Sequence, residues 1–242
     1  MKSSTATILS VTLILGCILI LLGFASIEKS EQRITAIEIN IIGDGESRFL
    51  TPLRVREHLY TYGPLIGLVE KDLSLYEIYE HIMLIPSVQS ANVFPTLDGE
   101  LHINLTQKKP RARVHSEIEN DYYIDENGKY MHLDEQYSAR VPIIHANNYE
   151  SALKGIAFLD AIDGDDFWGA LIDQIIVNNK GELELVPRIG SRIFLGLEQD
   201  PVVQRRNLLT FYRAQIESGN LKNYSRIDLS YKDQVIAKRH VY

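Results

Sequence analysis

Residues 74–106 read SLYEIYEHIMLIPSVQSANVFPTLDGELHINLT, and the change of period along them decides the fold. Ser74 followed by Glu77 is a capping box, whose two side chains satisfy backbone donors left free by the first helical turn. Leu75, Ile78, Tyr79 and Ile82 then fall at i, i+3, i+4 and i+7, one apolar stripe of a helix. Pro86 lacks the N–H that a further turn needs, so the helix stops there. Beyond it residues 90–94 and 101–106 have strand composition, joined around Leu97-Asp98-Gly99-Glu100 as a hairpin.

Upstream, Ile37, Ile39 and Ile41 alternate with Glu38 and Asn40, the period-2 signature of a half-buried strand. A turn at Gly43-Asp44-Gly45 leads to a helix opened by Thr51-Pro52, which runs through Val55 and Leu59 to a stop at Tyr62-Gly63-Pro64. The order is therefore β-α-α-β-β. From Lys108 the texture changes to short strands at 111–115, 122–124, 129–133 and 141–145, with Asn127-Gly128 predicting a type I′ turn. Residues 149–161 have helical period (Leu153, Ile156, Ala157), ending near Gly164. Strands at 171–178 and 182–187 flank Asn179-Lys180-Gly181, and another covers 192–196. Asp200-Pro201 opens a long helix with Val202, Leu209, Tyr212 and Ile216 along one face and Gly219 at its end. Strands at 224–229 and 234–239 close the chain, which has no internal repeat.

Residues 6–25 contain no charged side chain. About 20 residues in helix rise roughly 30 Å, the thickness of a hydrocarbon core. The stretch reads as a single retained anchor. A cleaved signal would have an apolar run of about 7–15 residues, and Gly23-Phe24-Ala25 ends a longer one. Ile14-Leu15-Gly16-Cys17 loosely resembles a lipoprotein box, but five apolar residues follow Cys17 where a polar tether is expected. Lys2 precedes the run while Lys29 and Arg33 follow it, so the positive-inside count does not orient it. The short amino-terminal tail and the long foldable remainder favour a cytoplasmic amino end. The predicted organisation is tail, anchor and polar linker at 1–33, a first domain at 34–107 and a second at 108–242.

The chain carries a formal charge of −7, and the excess of acid lies in its soluble part. That argues against general binding to a phosphate backbone. Cys17 is the one cysteine, so neither an intramolecular disulfide nor a cysteine metal site can form.

Lys71 to Val114 carry a resemblance to a known family. Ile85, Pro86, Val88, Ala91 and Val93 match the "(I/L)P-x-V-x-x-A-x-V" signature of the second helix and following strand of a POTRA domain. The junction Lys109-Pro110-Arg111-Ala112-Arg113 resembles the "x-P-x-A" strand that opens the next domain in the division proteins FtsQ/DivIB. Ile124-Asp125-Glu126-Asn127-Gly128-Lys129-Tyr130 is similar to that family's hairpin, and Ile227-Asp228-Leu229-Ser230-Tyr231 to its "(V/I)DLRY" segment. Ser230 departs from the pattern, where many members have Arg. The resemblance implies an α+β chain with a single transmembrane helix, a POTRA domain, and a sheet-rich β domain with a long helix near its end. It also implies a non-enzymatic, single-pass protein of the inner membrane at the division septum, with its bulk in the periplasm. Its partners would be FtsB/DivIC-like and FtsL-like proteins near a septal peptidoglycan synthase. Other readings are a POTRA module of secretion or outer-membrane assembly, for which no barrel strands follow, and a tethered envelope hydrolase.

No catalytic, cofactor or metal site is expected. Asp163-Gly164-Asp165-Asp166 lacks calcium-loop spacing and reads as a solvated turn. The histidines show no ligand spacing; His102 and His132 read as sheet-face residues. Function is thus expected on surfaces. The last strand has none after it to pair with, so it is a candidate edge for strand addition by a partner. The expected partner-binding residues are Tyr231, Lys232, Val235, Ile236, Lys238 and Arg239, with Arg205 and Arg206 on the long helix. Their basic character calls for an acidic partner segment.

Overall fold

A computed structural model describes residues 11–20, 32–43, 48–198 and 200–240. Of the apolar stretch 6–25, residues 11–20 are helical, and 6–10 and 21–25 lie outside the described residues. Among the described residues, no helix is long and apolar enough to cross a membrane. The chain divides into two units, Met1–Gln107 and Lys108–Tyr242.

The first unit contains β1 (Ala36–Ile42), α1 (Pro52–Tyr62), α2 (Leu75–Met83), β2 (Val88–Pro95) and β3 (Glu100–Gln107). The sheet order is β1-β3-β2, with β1 parallel and β2 antiparallel to the central β3. Local chemistry sets the helix starts. Thr51 Oγ1 accepts from the Arg54 N–H at 3.2 Å, and Ser74 Oγ from the Glu77 N–H at 3.3 Å. The capping box is only half used: the Glu77 carboxylate instead accepts the Tyr62 hydroxyl at 2.9 Å, tying α2 to α1. Leu101, Ile103 and Leu105 of β3 are fully buried in one cluster with Val55, Leu59, Ile78 and Ile82 from the helices. Each such side chain contributes about 1.5–3 kcal/mol when fully buried. Part of the expected turn at Gly43-Asp44-Gly45 lies outside the described residues.

The second unit contains β4 (Pro110–His115), β5 (Tyr122–Asp125), β6 (Tyr130–His132), β7 (Ile143–His145), α3 (Tyr149–Ala161), α4 (Asp166–Leu171), β8 (Ile172–Val177), β9 (Leu183–Pro187), β10 (Arg192–Gly196), α5 (Pro201–Glu217), β11 (Tyr224–Asp228) and β12 (Ile236–Arg239). Its described strands form one nine-stranded sheet, ordered β12-β11-β10-β9-β8-β7-β4-β5-β6. Two connections between parallel neighbours carry helices: α3 and α4 between β7 and β8, and α5 between β10 and β11. The core includes the fully buried Trp168, which meets Phe158 edge-on at 5.9 Å and Phe167 at 5.2 Å.

Three local expectations are corrected. The segment at Leu171 continues from a short helix, α4, whose Asp165 cap accepts from Phe167 N at 2.9 Å and Trp168 N at 3.2 Å; the strand starts at Ile172. On α3 the buried face is Ala152, Gly155, Ile156, Phe158 and Leu159, while Ala157 is exposed. A Cβ at Gly155 would stand 3.0 Å from the Ile144 side chain, so a glycine lets α3 approach β7 closely. On α5, Val202 and Ile216 are exposed and Gln204 and Leu208 are buried. Gln204 misleads the periodicity because a polar residue is inside; its amide donates to the Leu195 carbonyl at 3.2 Å.

The hairpin turns also differ from a type I′ turn, which needs positive φ at both central residues. Among the described residues only glycines have positive φ, so Asn127 does not fit. Instead the Gly128 N–H donates to the Asp125 carbonyl at 2.9 Å, and Gly128 itself has φ 70°. Gly99 on Thr96 and Gly181 on Asn178 repeat the arrangement. In each, the first residue also braces the turn through its side chain: Thr96 Oγ1 accepts from Glu100 N, Asp125 Oδ1 from Lys129 N, and Asn178 Oδ1 from Glu182 N. Three hairpins are thus built on one plan, a turn closed by a left-handed glycine.

Candidate functional site

The expected surface lies at one end of the nine-stranded sheet. β12 is antiparallel to β11, with Asp228 opposite Ile236, Ile227 opposite Ala237 and Arg226 opposite Lys238. Among the described residues it has no other neighbour in the sheet, so no described strand pairs with its outer backbone edge. The strand begins at Ile236, two residues later than the sequence pattern gave. Val235 lies just before it, partly buried against the core, whereas Ile236, Lys238 and Arg239 are exposed.

Tyr231 and Lys232 lie in the connection between β11 and β12 rather than on the strand. Asp228 Oδ1 accepts from both the N–H and the hydroxyl of Ser230, at 2.9 and 2.6 Å, turning the chain there. Gly196 packs against that turn, and a Cβ on it would stand 2.9 Å from the Ser230 Cβ. The Asn207 amide of α5 donates to the Lys232 carbonyl at 2.9 Å, so the long helix fixes the loop that presents Tyr231. The Tyr231 side chain is half-exposed, and Arg239 lies with its guanidinium 5.9 Å from the centre of the Tyr224 ring.

Arg226 and Arg192 were not foreseen as part of this surface. The register places Arg192 opposite Arg226 and Arg226 opposite Lys238, so three cations form a row across β10, β11 and β12. Glu184 of β9 accepts Arg226 Nε at 3.2 Å and stands 3.8 Å from Arg192, and Arg226 lies 4.2 Å over the Phe194 ring. Two carboxylates on this face, Glu184 and Asp228, against three cations leave it net positive on an acidic protein. The alternation of Arg226 with Ile227 was legible, but which strand lies beside it depends on long-range pairing.

Arg205 and Arg206 do not join this edge. They line a cleft of about 330 Å³ with Ile162, Trp168 and Leu209, between α3, α4 and α5. Arg205 is exposed but engaged within the chain, 3.2 Å from Asp165 and 5.7 Å from the Phe167 ring centre. Arg206 is exposed.

The acidic cluster is a turn, but a structured one. Arg111 donates to the Leu159 carbonyl at 2.6 Å and pairs with Asp160 and Asp163 at 3.0 Å each, adding positive charge at the carbonyl end of α3. Asp165 caps α4 and pairs with Arg205. Among the described residues, the buried hydroxyls of Tyr122 and Tyr212 lack a hydrogen-bond partner. Burial pushes each up to about 12, with Glu119 and neighbouring tyrosines adding to the effect at Tyr122, so both stay neutral at ordinary pH. His102 sits on a sheet face as expected, and the structure sets it beside Glu38 and Glu100, the one group of three potential metal ligands among the described residues.

Comparison with known families gives a match over residues 109–238 to the family described as FtsQ/DivIB, C-terminal related. No curated protein matches the chain.

Proposed function

This chain belongs to the FtsQ/DivIB C-terminal related family, which points to a role in cell division, and we propose that it acts there as a non-enzymatic scaffold. In this reading residues 6–25 anchor it in the inner membrane with the amino end cytoplasmic. The first unit serves as a POTRA domain that recruits early septal proteins. Its β-α-α-β-β order and β1-β3-β2 sheet support that assignment. The second unit holds an FtsB/DivIC-like and FtsL-like complex near the septal peptidoglycan synthase.

The observation that carries the proposal is β12, outermost in its sheet among the described residues, with a basic row beside it. An incoming strand gains affinity from main-chain hydrogen bonds, while alternate side chains select its sequence. The partner segment is extended and acidic, so that it meets Lys238, Arg226 and Arg192. Tyr231 is its aromatic anchor, since exposed tyrosines are frequent hot spots at interfaces.

Capture of an FtsB/DivIC-like partner by the full chain tests this. Ile236→Pro and Lys238→Glu should each weaken capture at least tenfold, and Tyr231→Ala by a comparable factor, about 1–2 kcal/mol. Circular dichroism of each variant should match the parent. Unchanged capture by folded Tyr231→Ala and Lys238→Glu variants overturns the edge-strand site.

A further inference from the structure

The sheet face of the first unit opposite Leu101, Ile103 and Leu105 brings together three side chains with metal-ligating chemistry. Glu100 and His102 are two residues apart on β3, so they project from the same face. The parallel register sets Glu38 of β1 directly beside His102, and the antiparallel register sets Phe94 of β2 on its other side. The Phe94 ring stacks on the imidazole with centroids 5.5 Å apart and planes 27° from parallel. That contact orients the ring so that Nε2 faces the two carboxylates.

From this geometry we infer that Glu38, Glu100 and His102 form a binding site for a zinc-class divalent cation. His102 Nε2 lies 3.4 Å from Glu38 Oε2 and 3.3 Å from Glu100 Oε2. Ligand atoms of both residue types bind Zn²⁺ at about 2.0–2.2 Å, and two such atoms at the tetrahedral angle are about 3.4 Å apart. All three donors lie within 4.8 Å of one another. The two distances from His102 Nε2 thus match those between ligands of a tetrahedral zinc ion before any ion is present.

Charge agrees with geometry. A neutral imidazole and two carboxylates offer two negative charges to a doubly charged ion. Asp98, in the turn between β2 and β3, is close enough to interact electrostatically with His102 and adds to the negative field. The Glu38 and Glu100 side chains are part-exposed, at 49% and 37%, which leaves the fourth position to water. Three protein ligands with one open position give an exchangeable site. An ion held there cross-links β1 to β3, so it stabilises the folded first unit by mass action. The inference is independent of the division role.

The test uses the purified full chain in detergent. Co²⁺ should give the intense visible absorption of a four-coordinate ion, and Zn²⁺ should displace it stoichiometrically. Zn²⁺ should also raise a thermal unfolding midpoint. His102→Asn should abolish both effects, and Glu38→Gln and Glu100→Gln should each weaken binding at least tenfold, as loss of a ligand does. His81→Asn, which removes a histidine elsewhere in the unit, should change neither. Binding that survives in folded His102→Asn, binding lost in His81→Asn instead, or no saturable binding up to millimolar Zn²⁺ overturns the site.

Discussion

The two ends of the nine-stranded sheet are finished in opposite ways. At the β6 end the strand is three residues long, and its Met131 is 2% exposed. Tyr130 stacks on Tyr122 at 4.7 Å, His132 meets Tyr130 edge-on at 4.9 Å, and the Tyr149 hydroxyl of α3 donates to the Gly128 carbonyl in the β5–β6 turn. At the β12 end Ile236 is 47% exposed and the neighbouring side chains are basic. A short, packed edge is protected by burial. A charged edge is protected from its own kind by repulsion and remains open to a strand of opposite charge. The difference sets an end closed by packing against an end whose exposed side chains suit the partner site proposed above.

The contrast breaks first at Met131. Met131→Ala should cost about 2–5 kcal/mol, the range for truncating a buried Met. Denaturant unfolding followed by the fluorescence of Trp168, the chain's one tryptophan, reads this in the second unit. Equal tolerance of Met131→Ala and Ile236→Ala would mean that the two ends are not differently built. A smaller effect probes the start of α4 and its contact with α5. Asp165→Ala removes the α4 cap and the Arg205 pair, and should cost about 0.5–2 kcal/mol. Asp165→Asn keeps the cap and should cost clearly less. The triple change of Asp163, Asp165 and Asp166 to Asn should accordingly leave a folded chain that still supports division. Loss of division with a normally folded and abundant protein would bring the acidic cluster back as a functional site.

Ile236→Ala should lower stability by less than about 1 kcal/mol, because the side chain is half in water already. The smallest effect has the opposite sign. Tyr212→Phe removes a buried hydroxyl with no hydrogen-bond partner and should raise stability by up to about 1 kcal/mol. A loss on that substitution would show that the phenol has a partner, such as an ordered water, bracing α5.

The helix starts were legible because they are written in adjacent residues. Thr51-Pro52, Ser74 and Asp200-Pro201 cap the helices predicted for them, since a cap needs a side chain within three positions. The strict alternation of β3 and the sites of the hairpins were legible for the same reason. The buried face of α5 was not. Gln204 donates its amide N–H to a strand nine residues earlier in the chain, while its amide oxygen is buried without a partner, and no local pattern shows that a polar residue is placed inside. The short helix α4 hid as well, because at six residues it is too brief for periodicity to separate from a strand.

The sequence by itself determined most of the element types, the helix caps and the positions of the hairpin turns, all consequences of short-range backbone and side-chain chemistry. Only the tertiary structure decided which strands are neighbours. That pairing leaves β12 outermost, puts Arg192, Arg226 and Lys238 in one row and sets Glu38 beside His102, and helix packing pairs the exposed Arg205 with Asp165. Each of these juxtapositions joins residues separated along the chain, and sheet register is fixed by burial of whole faces rather than by any local signal.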